Sequence, residues 1–162
     1  MSGIIGRLGE DIIVVSQTIA ATTTSSAKYA MHTGSLELKC VCTEEGGVAS
    51  LEQVVVKETK SGGATMPRLL FNFFNAAQSQ TINTALSATF SAMVGFLDSN
   101  NAPSDTYGDY GIRTINKNAP NIITMPLLLK CASGTRALHL IVRSNAAAAI
   151  GDLTLDFYFR RL

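Results

Sequence analysis

The residues that could form a nucleophile and base pair are few in this chain. A serine or cysteine nucleophile needs a nearby base, usually histidine, that a third group holds in place. The two histidines are His32, in a Ser/Thr/Gly-rich segment, and His139, on the outward side of a predicted strand. No Gly-x-Ser-x-Gly elbow accompanies either of them. We therefore expect both to be surface or packing residues, and the chain not to be an enzyme.

Cys40 and Cys42 are spaced as two thiols on one side of a strand. Structural zinc prefers Cys-x-x-Cys knuckles and four ligands, so the spacing and the number argue against a metal site. Since both residues continue the apolar side that begins at Leu36 and Leu38, we predict that they are buried small hydrophobic residues. With Cys131 the cysteine count is odd, and no Asn-x-Ser/Thr sequon occurs. Both features favour reduced thiols and synthesis in a cytoplasm.

Other possible ligand motifs are incomplete. Asp98-Ser99-Asn100 begins like a calcium loop, but Ala102 and Pro103 stand where a ligand and the turning glycine belong. The segment 61–64 lacks the Gly-Lys-Ser/Thr ending of a phosphate loop and is predicted to be a turn. Paired carboxylates for glycoside hydrolysis meet only in the fold, and the sequence singles out no pair. We predict no metal and no cofactor.

Composition limits the partners that this chain can have. Its 162 residues fit one domain. With 46% apolar residues it should fold, and its net charge of +1 lacks the basic footprint of a nucleic-acid-binding protein. No run approaches the roughly 18 apolar residues of a membrane helix, and we see neither an anchor nor a signal peptide. Only 15% of residues are charged, which is low for a monomer and suggests a surface covered by neighbours.

Alternating apolar residues predict β-strands throughout the chain. A period of two places alternate side chains on one face of a sheet, and it is clearest in 36–42, 138–143 and 153–159. Less regular β-branched and aromatic runs occur at 11–19, 51–59, 69–74, 93–97 and 122–129, with a single helical candidate at 83–90. Turn residues separate these runs. We therefore predict an all-β antiparallel sandwich or jelly roll of about eight or nine strands over residues 11–162.

Three regions are candidates for partner contacts. Residues 1–10 are Gly-rich and are predicted to be an arm, whose apolar Ile4, Ile5 and Leu8 suit docking on a neighbour. The irregular stretch 98–111 is predicted to be an exposed loop carrying Tyr107 and Tyr110. The terminal Arg160 and Arg161 could pair with acidic groups of a partner.

The order of segments resembles small virion proteins of tailed bacteriophages, over about residues 35–159. In that resemblance a glycine turn at 46–47 precedes a strand ending at Lys57-Glu58-Thr59, and the next strand is the aromatic-rich Arg68 to Asn75. The passages 125–144 and 151–155 are similar to their closing strands. The arm and the 98–111 stretch lie outside the match.

The resemblance implies a fold, a function and a location. It implies a jelly-roll-like structural protein, made in the bacterial cytoplasm and added to the virion as a capsid decoration or cement protein. It further implies the major capsid protein as partner and a homo-oligomer, with a trimer favoured. A tail, baseplate or head-fibre subunit is the nearest alternative. A carbohydrate- or receptor-binding sandwich that uses Tyr107 and Tyr110 is another.

Overall fold

Strands make up nearly all the regular structure of the described residues. The computed structural model describes residues 3–8, 12–21, 33–59, 68–79, 81–82, 90–99, 104–107, 110–116, 125–144 and 150–162. In these ranges the strands are β1 (Gly3–Leu8), β2 (Ile12–Ile19), β3 (Leu36–Leu38), β4 (Val48–Thr59), β5 (Leu69–Phe74), β6 (Met93–Asp98), β7 (Ser104–Tyr107), β8 (Tyr110–Asn116), β9 (Leu127–Lys130), β10 (Leu138–Ser144) and β11 (Asp152–Arg161). One 3-10 turn, Phe90–Ala92, precedes β6.

The strands form two antiparallel sheets. The larger sheet has the order β1-β2-β11-β4-β8-β7, with β9 also paired to β4. On β4, strand β9 pairs with residues 48–51 and β8 with residues 53–59, so the two share one edge. The smaller sheet has the order β3-β10-β5-β6. The prediction of an all-β antiparallel sandwich is confirmed, with eleven strands in the described residues.

The core lies between the two sheets and is built from the alternation that the sequence shows. Leu153, Leu155, Phe157 and Phe159 of β11 all point inward and are fully buried. Phe157 meets Phe71 and Phe73 of the smaller sheet edge to face, with ring centroids 6.2 and 6.1 Å apart. Such pairs contribute about 0.5–1.5 kcal/mol beyond the area that they bury. One aromatic cluster thus joins the two sheets.

Strand pairing in the sandwich is nested. β2 pairs with β11, β3 with β10, β4 with β9, and β5 with β6, all antiparallel. Along the chain, therefore, the earliest strand of this set pairs with the last, and the innermost two pair with each other. Hairpin β7–β8 is inserted between β6 and β9 and extends the free part of the β4 edge.

The strand predicted over 36–42 is shorter than expected. β3 ends at Leu38, and Cys40 has a φ of 56°, a left-handed conformation that turns the chain out of the sheet. Val41 donates its N–H to Arg136 O at 2.8 Å and is buried together with Cys42. The prediction of a buried Cys40 was therefore wrong, because the turn leaves that residue half-buried.

The exposed loop predicted over 98–111 is largely strand. β6 extends to Asp98, Ser99 is fully buried, and β7 and β8 pair as a hairpin. The polar residues in this stretch obscured the strand pattern, since a hairpin at a sheet edge needs little apolar periodicity. The helical candidate over 83–90 lies outside the described residues, except for the 3-10 turn that begins at Phe90.

The predicted arm contributes a strand to the larger sheet. Gly3–Leu8 pairs with β2 in antiparallel register, from Gly3 opposite Ser16 to Leu8 opposite Ile12. The register shifts between Ile4 and Gly6. The arm thus supplies the edge strand beside β2 in the same chain. Among the residues that the structure describes, no helix is long and apolar enough to span a membrane.

Candidate interaction surfaces

The two tyrosines of the predicted loop are brought together. Tyr107 ends β7 and Tyr110 begins β8, and they stand directly opposite each other in the hairpin register. Tyr110 is 59% exposed. Tyr110 also lies beside Thr59 at the end of β4. The sequence thus placed both residues in the right region, although on strands rather than in a loop.

The two terminal arginines have different environments. Arg160 points outward and pairs with Glu52, Nε to Oε1 at 3.2 Å. Arg161 instead donates from Nη2 to Cys40 O at 2.6 Å, which ties the end of β11 to the turn after β3. Arg161 is therefore engaged within its own chain, whereas Arg160 stays at the surface.

The apolar residues of the arm lie at the edge of the larger sheet. Ile4 is opposite Val15 and Leu8 is opposite Ile12, while Ile5 lies at the register shift. Because β1 is at one end of the strand order, its outer edge has no strand partner within the described sheet. An edge strand presents backbone N–H and C=O groups that another chain can pair with.

We use the name open face for the outward side of β2, β11, β4, β8 and β9. Core residues of these strands alternate with residues that point away from the smaller sheet. These outward residues are Ile12, Val14, Ser16, Thr18, Val48, Ser50, Gln53, Val55, Lys57, Thr59, Tyr110, Ile112, Thr114, Asn116, Leu128, Lys130, Asp152, Thr154, Asp156, Tyr158 and Arg160. Most of them are uncharged.

The open face carries half of the large exposed apolar side chains in the described residues. Six large hydrophobic residues are exposed in the described chain, and Tyr110, Ile112 and Leu128 of the open face are three of them. Ile112 is opposite Lys57 on β4, and Leu128 is opposite Ser50. The two thus lie along one edge of β4, at its two ends. Tyr110 and Ile112 are two residues apart on β8, so at that end of the face two exposed apolar side chains are adjacent, as is common in binding surfaces.

The one deeply buried charge on the open face is neutralised within the chain. Asp156 is 5% exposed, and its carboxylate accepts hydrogen bonds from Ser16 Oγ and from Lys57 Nζ, the latter at 2.8 Å. Ser16 and Asp156 are opposite each other in the β2–β11 register. A buried carboxylate is costly unless it is paired. The two hydrogen bonds offset the cost of burying Asp156.

A second polar group lies inside one end of the sandwich. Glu58 is 1% exposed and accepts Gly151 N–H at Oε1, 2.8 Å away. Arg113 donates from Nη1 to Ser99 Oγ at 3.0 Å, and Ser99 Oγ also accepts Leu69 N–H. Burial lowers the pKa of Arg113, and the neighbouring Glu58 carboxylate opposes that shift. These contacts connect the ends of both sheets.

The cysteines are free thiols, and two of them are in the core. Cys42 Sγ contacts Gly47 O at 3.2 Å, and Cys131 is 2% exposed. Burial raises the pKa of Cys131 from 9.0 to about 12, and hydrogen bonding with the Cys42 thiol adds to the rise. A thiol that stays protonated is a poor nucleophile and a poor metal ligand. Cys131 thus behaves as a packing residue, and Cys42 is fully buried in the same core.

The described residues offer few groups that could bind a ligand or a metal ion. An apolar cavity of about 340 Å³ lies between the end of β2 and the start of β3, lined by residues that include Ile19, Thr33, Leu36 and Ile82. The calcium-like start at Asp98 is occupied, because Arg68 donates two hydrogen bonds to that carboxylate. In the ranges that the structure describes, no three His, Cys, Asp or Glu side chains group together as metal ligands.

Comparisons with known proteins give this chain no relatives. No protein-family model matches it, and no curated protein matches it.

Sequence reasoning missed Ile112 and Leu128. The signal for Leu128 is the run Leu127-Leu128-Leu129, since in a strand the middle residue must face away from its neighbours. Leu129 is in the core and Leu128 is 62% exposed. For Ile112 the signal is weaker. It is three residues from Ile115, so the two face opposite sides, but the spacing does not say which of them is buried.

Proposed function

We propose that this protein is a non-enzymatic structural component of a bacteriophage virion. In this proposal it is a capsid decoration or cement protein that is made in the bacterial cytoplasm and binds across adjacent major capsid subunits on the head surface. The observation that carries the proposal is the open face, a broad sheet surface with few charges and several exposed apolar residues. A surface of this kind suits burial against protein.

We propose further that the sandwich is a jelly roll. The support is the nested pairing, β2 with β11, β3 with β10, β4 with β9 and β5 with β6. That pattern is what a long hairpin gives when it is rolled up into two sheets. Jelly rolls are used by viral capsid and lectin domains, although a fold alone does not define a function.

A cement protein acts by mass action. A ligand that binds the assembled shell but not separate subunits stabilises the shell according to its concentration and affinity. Apolar surface buried across the junction contributes about 25 cal/mol per Å², before the costs of association. If the chain forms a homo-oligomer, each additional subunit contact adds avidity. The proposed function thus needs a binding surface and no reacting group.

The experiment compares phage particles made with and without this protein. We expect mass spectrometry to find the protein in purified particles and cryo-electron microscopy to place it on the capsid. Particles that lack it should release DNA at a lower temperature, and adding purified protein should restore their resistance. Ile112→Glu and Leu128→Glu, which put charge on the open face, test whether that face contributes to restoration.

Particles without the protein would contradict the proposal. Density on the tail or baseplate would replace it with the tail, baseplate or head-fibre alternative. Full resistance to heat in particles that lack the protein would exclude a cement role, even if the protein is present on the head.

A second candidate function, glycan or receptor binding, is favoured by one observation. Tyr107 and Tyr110 are paired in the β7–β8 register, and Tyr110 is 59% exposed. Aromatic rings at such a position are suitable platforms for a sugar ring. A glycan array tests this, with Tyr110→Ala as the variant and Phe96→Ala, another exposed aromatic residue, as the control. Binding that Tyr110→Ala removes and Phe96→Ala retains would support this alternative. An array without any binding would exclude it.

A further inference from the structure

The chain passes between the two sheets through two short segments that lie side by side. Residues 39–47, the first crossover, connect β3 of the smaller sheet to β4 of the larger sheet. Residues 131–137, the second crossover, connect β9 of the larger sheet to β10 of the smaller sheet. Val41 and Gly46 donate their backbone N–H groups to carbonyls of the second crossover, at 2.8 and 2.9 Å. The two crossovers are therefore held together at one end of the sandwich.

Each crossover carries one buried cysteine, and the two cysteines meet at Gly47. Cys42 Sγ is 3.2 Å from Gly47 O, and Cys131 donates its backbone N–H to the same oxygen at 3.0 Å. A Cβ built on Gly47 would lie 3.3 Å from Cys42 Cβ, so the Cys42 side chain lies directly against this glycine. The Cys131 thiol is hydrogen-bonded to the thiol and to the backbone of Cys42. The two thiols are therefore neighbours, although the residues are far apart in the sequence.

The third cysteine has a different environment from this pair. Cys40 is half-buried and lines an open surface cavity together with Lys39 and Arg136, whereas Cys42 and Cys131 are in the core. Within the part of the chain that the structure describes, no three His, Cys, Asp or Glu side chains form a group that could hold a metal ion. The reaction open to two adjacent buried thiols without further ligands is with each other.

We propose that Cys42 and Cys131 are a thiol pair that joins as a disulfide when the reduced chain meets an oxidant, a low-molecular-weight disulfide. One cysteine thiolate attacks that disulfide, whose S–S bond breaks and releases one small thiol, and the second cysteine then displaces the other. Two S–H bonds of the protein are replaced by one S–S bond. The two electrons and two protons that the protein loses leave with the two small thiols. This chemistry goes beyond the proposed function and does not depend on it.

The disulfide would join the two crossovers covalently. It closes a long loop of the chain, which restricts the unfolded state and so stabilises the fold. In the folded chain the reaction is slow, because both thiols are buried and the raised pKa of Cys131 keeps that thiol protonated at neutral pH. The pair therefore stays reduced until the crossovers open, or until the chain folds in the presence of an oxidant.

The test is refolding of the purified chain in a glutathione redox buffer, which gives the oxidant access to both thiols. We expect alkylation and mass spectrometry to find one free thiol, that of Cys40, and a peptide pair linked between Cys42 and Cys131. The oxidised chain should unfold at a temperature at least about 5 °C above that of the reduced chain. Cys42→Ala should abolish this difference. The matched control is Cys40→Ala, which should keep it.

Oxidised and reduced samples are compared within each variant, because Cys42→Ala also leaves a cavity that lowers stability. If Cys42→Ala does not fold, the linkage found in the wild-type chain decides the question. A wild-type chain that refolds with three free thiols overturns the inference. So does a linkage that includes Cys40, within one chain or between two, or a Cys42–Cys131 linkage that lowers the unfolding temperature. The particle experiment is separate, because a chain that lacks this disulfide can still bind capsids and a chain that forms it can be absent from particles.

Discussion

At the scale of single residues, Gly95 shows how closely the two sheets approach each other. A Cβ built on Gly95 of β6 would lie 2.3 Å from Leu129 Cδ2 and 3.0 Å from Leu127 Cδ2 of β9. Leu129 is fully buried, so its side chain can move only by disturbing the packed core. Glycine is thus required here for its lack of a side chain.

We expect Gly95→Ala to lower the free energy of unfolding by about 1–3 kcal/mol, the usual cost of overpacking a core. Gly34→Ala is the control, because a Cβ there meets nothing within 4 Å. That variant should lose nothing, or gain about 0.5 kcal/mol from a less flexible unfolded chain. Urea denaturation of both variants measures the difference. Equal effects would show that the close approach at Gly95 does not limit packing.

A second residue-scale prediction concerns Cys131 and pH. Burial raises the pKa of its thiol from 9.0 to about 12, so the unfolded chain loses this proton at a lower pH than the folded chain does. Between these two values the folded state binds more protons, and the free energy of unfolding must fall as pH rises. The stabilisation is present in full below pH 9.0.

Thermal unfolding across that interval measures the effect, with Cys131→Ala as the comparison. The variant starts from a lower stability because it leaves a cavity, so the slopes with pH are compared rather than the absolute values. Tyrosine and lysine titrations are common to both proteins. We expect the wild-type chain to lose stability more steeply. Parallel slopes would mean that the thiol ionises equally in both states.

At the scale of elements, the end of β11 pairs with β4 and is joined to the turn after β3 by a side-chain hydrogen bond. Arg161 Nη2 donates to Cys40 O at 2.6 Å, and Cys40 is itself the residue in the left-handed region. Arg161→Ala should lower the free energy of unfolding by about 1–2 kcal/mol, as expected when a charged donor leaves its acceptor. Arg160→Ala is the neighbouring control. Its ion pair with Glu52 is at the surface, so its loss should cost less than about 0.5–1 kcal/mol. Chemical denaturation that ranked the two variants the other way would contradict this assignment.

Most strands could be predicted from the sequence, because the core alternates with the surface along them. The runs over 69–74, 138–143 and 153–159 correspond to β5, β10 and β11. The alternation of apolar and polar residues gives wrong predictions where the backbone turns out of the strand or where buried polar side chains contact each other. Cys40 leaves the strand because its φ is positive, a property that its residue type does not signal. Arg113 points inward because Ser99 and Glu58 meet it there, and residues so far apart in sequence give no local pattern.

The candidate contacts were predictable only in part, for a related reason. Tyr107 and Tyr110 are close in sequence, so their pairing needs nothing more than a hairpin. The open face combines β2, β11, β4, β8 and β9. Which residues form the open face depends on which strands are neighbours in the larger sheet. That strand order is set by pairing between segments far apart in the sequence. Leu128 and Ile112 therefore become neighbours of one β4 edge only in the fold.

At the scale of the whole molecule, the sandwich depends on contacts that cross from one sheet to the other. Phe157 of the larger sheet meets Phe71 and Phe73 of the smaller sheet and stacks on Phe159 at a centroid distance of 6.3 Å. All four rings are fully buried. A domain of this size has a net stability of only about 5–15 kcal/mol, so one side chain at this junction holds a large share of it.

We expect Phe157→Ala to lower the free energy of unfolding by about 3–5 kcal/mol, since it removes buried area and leaves a cavity between the sheets. Phe157→Leu should cost less, because it refills part of that space. Phe96→Ala is the control, since Phe96 is 41% exposed, and it should cost under about 1 kcal/mol. Guanidinium denaturation followed by circular dichroism gives all three values. If Phe157→Ala were no more harmful than Phe96→Ala, the two sheets would be held together elsewhere.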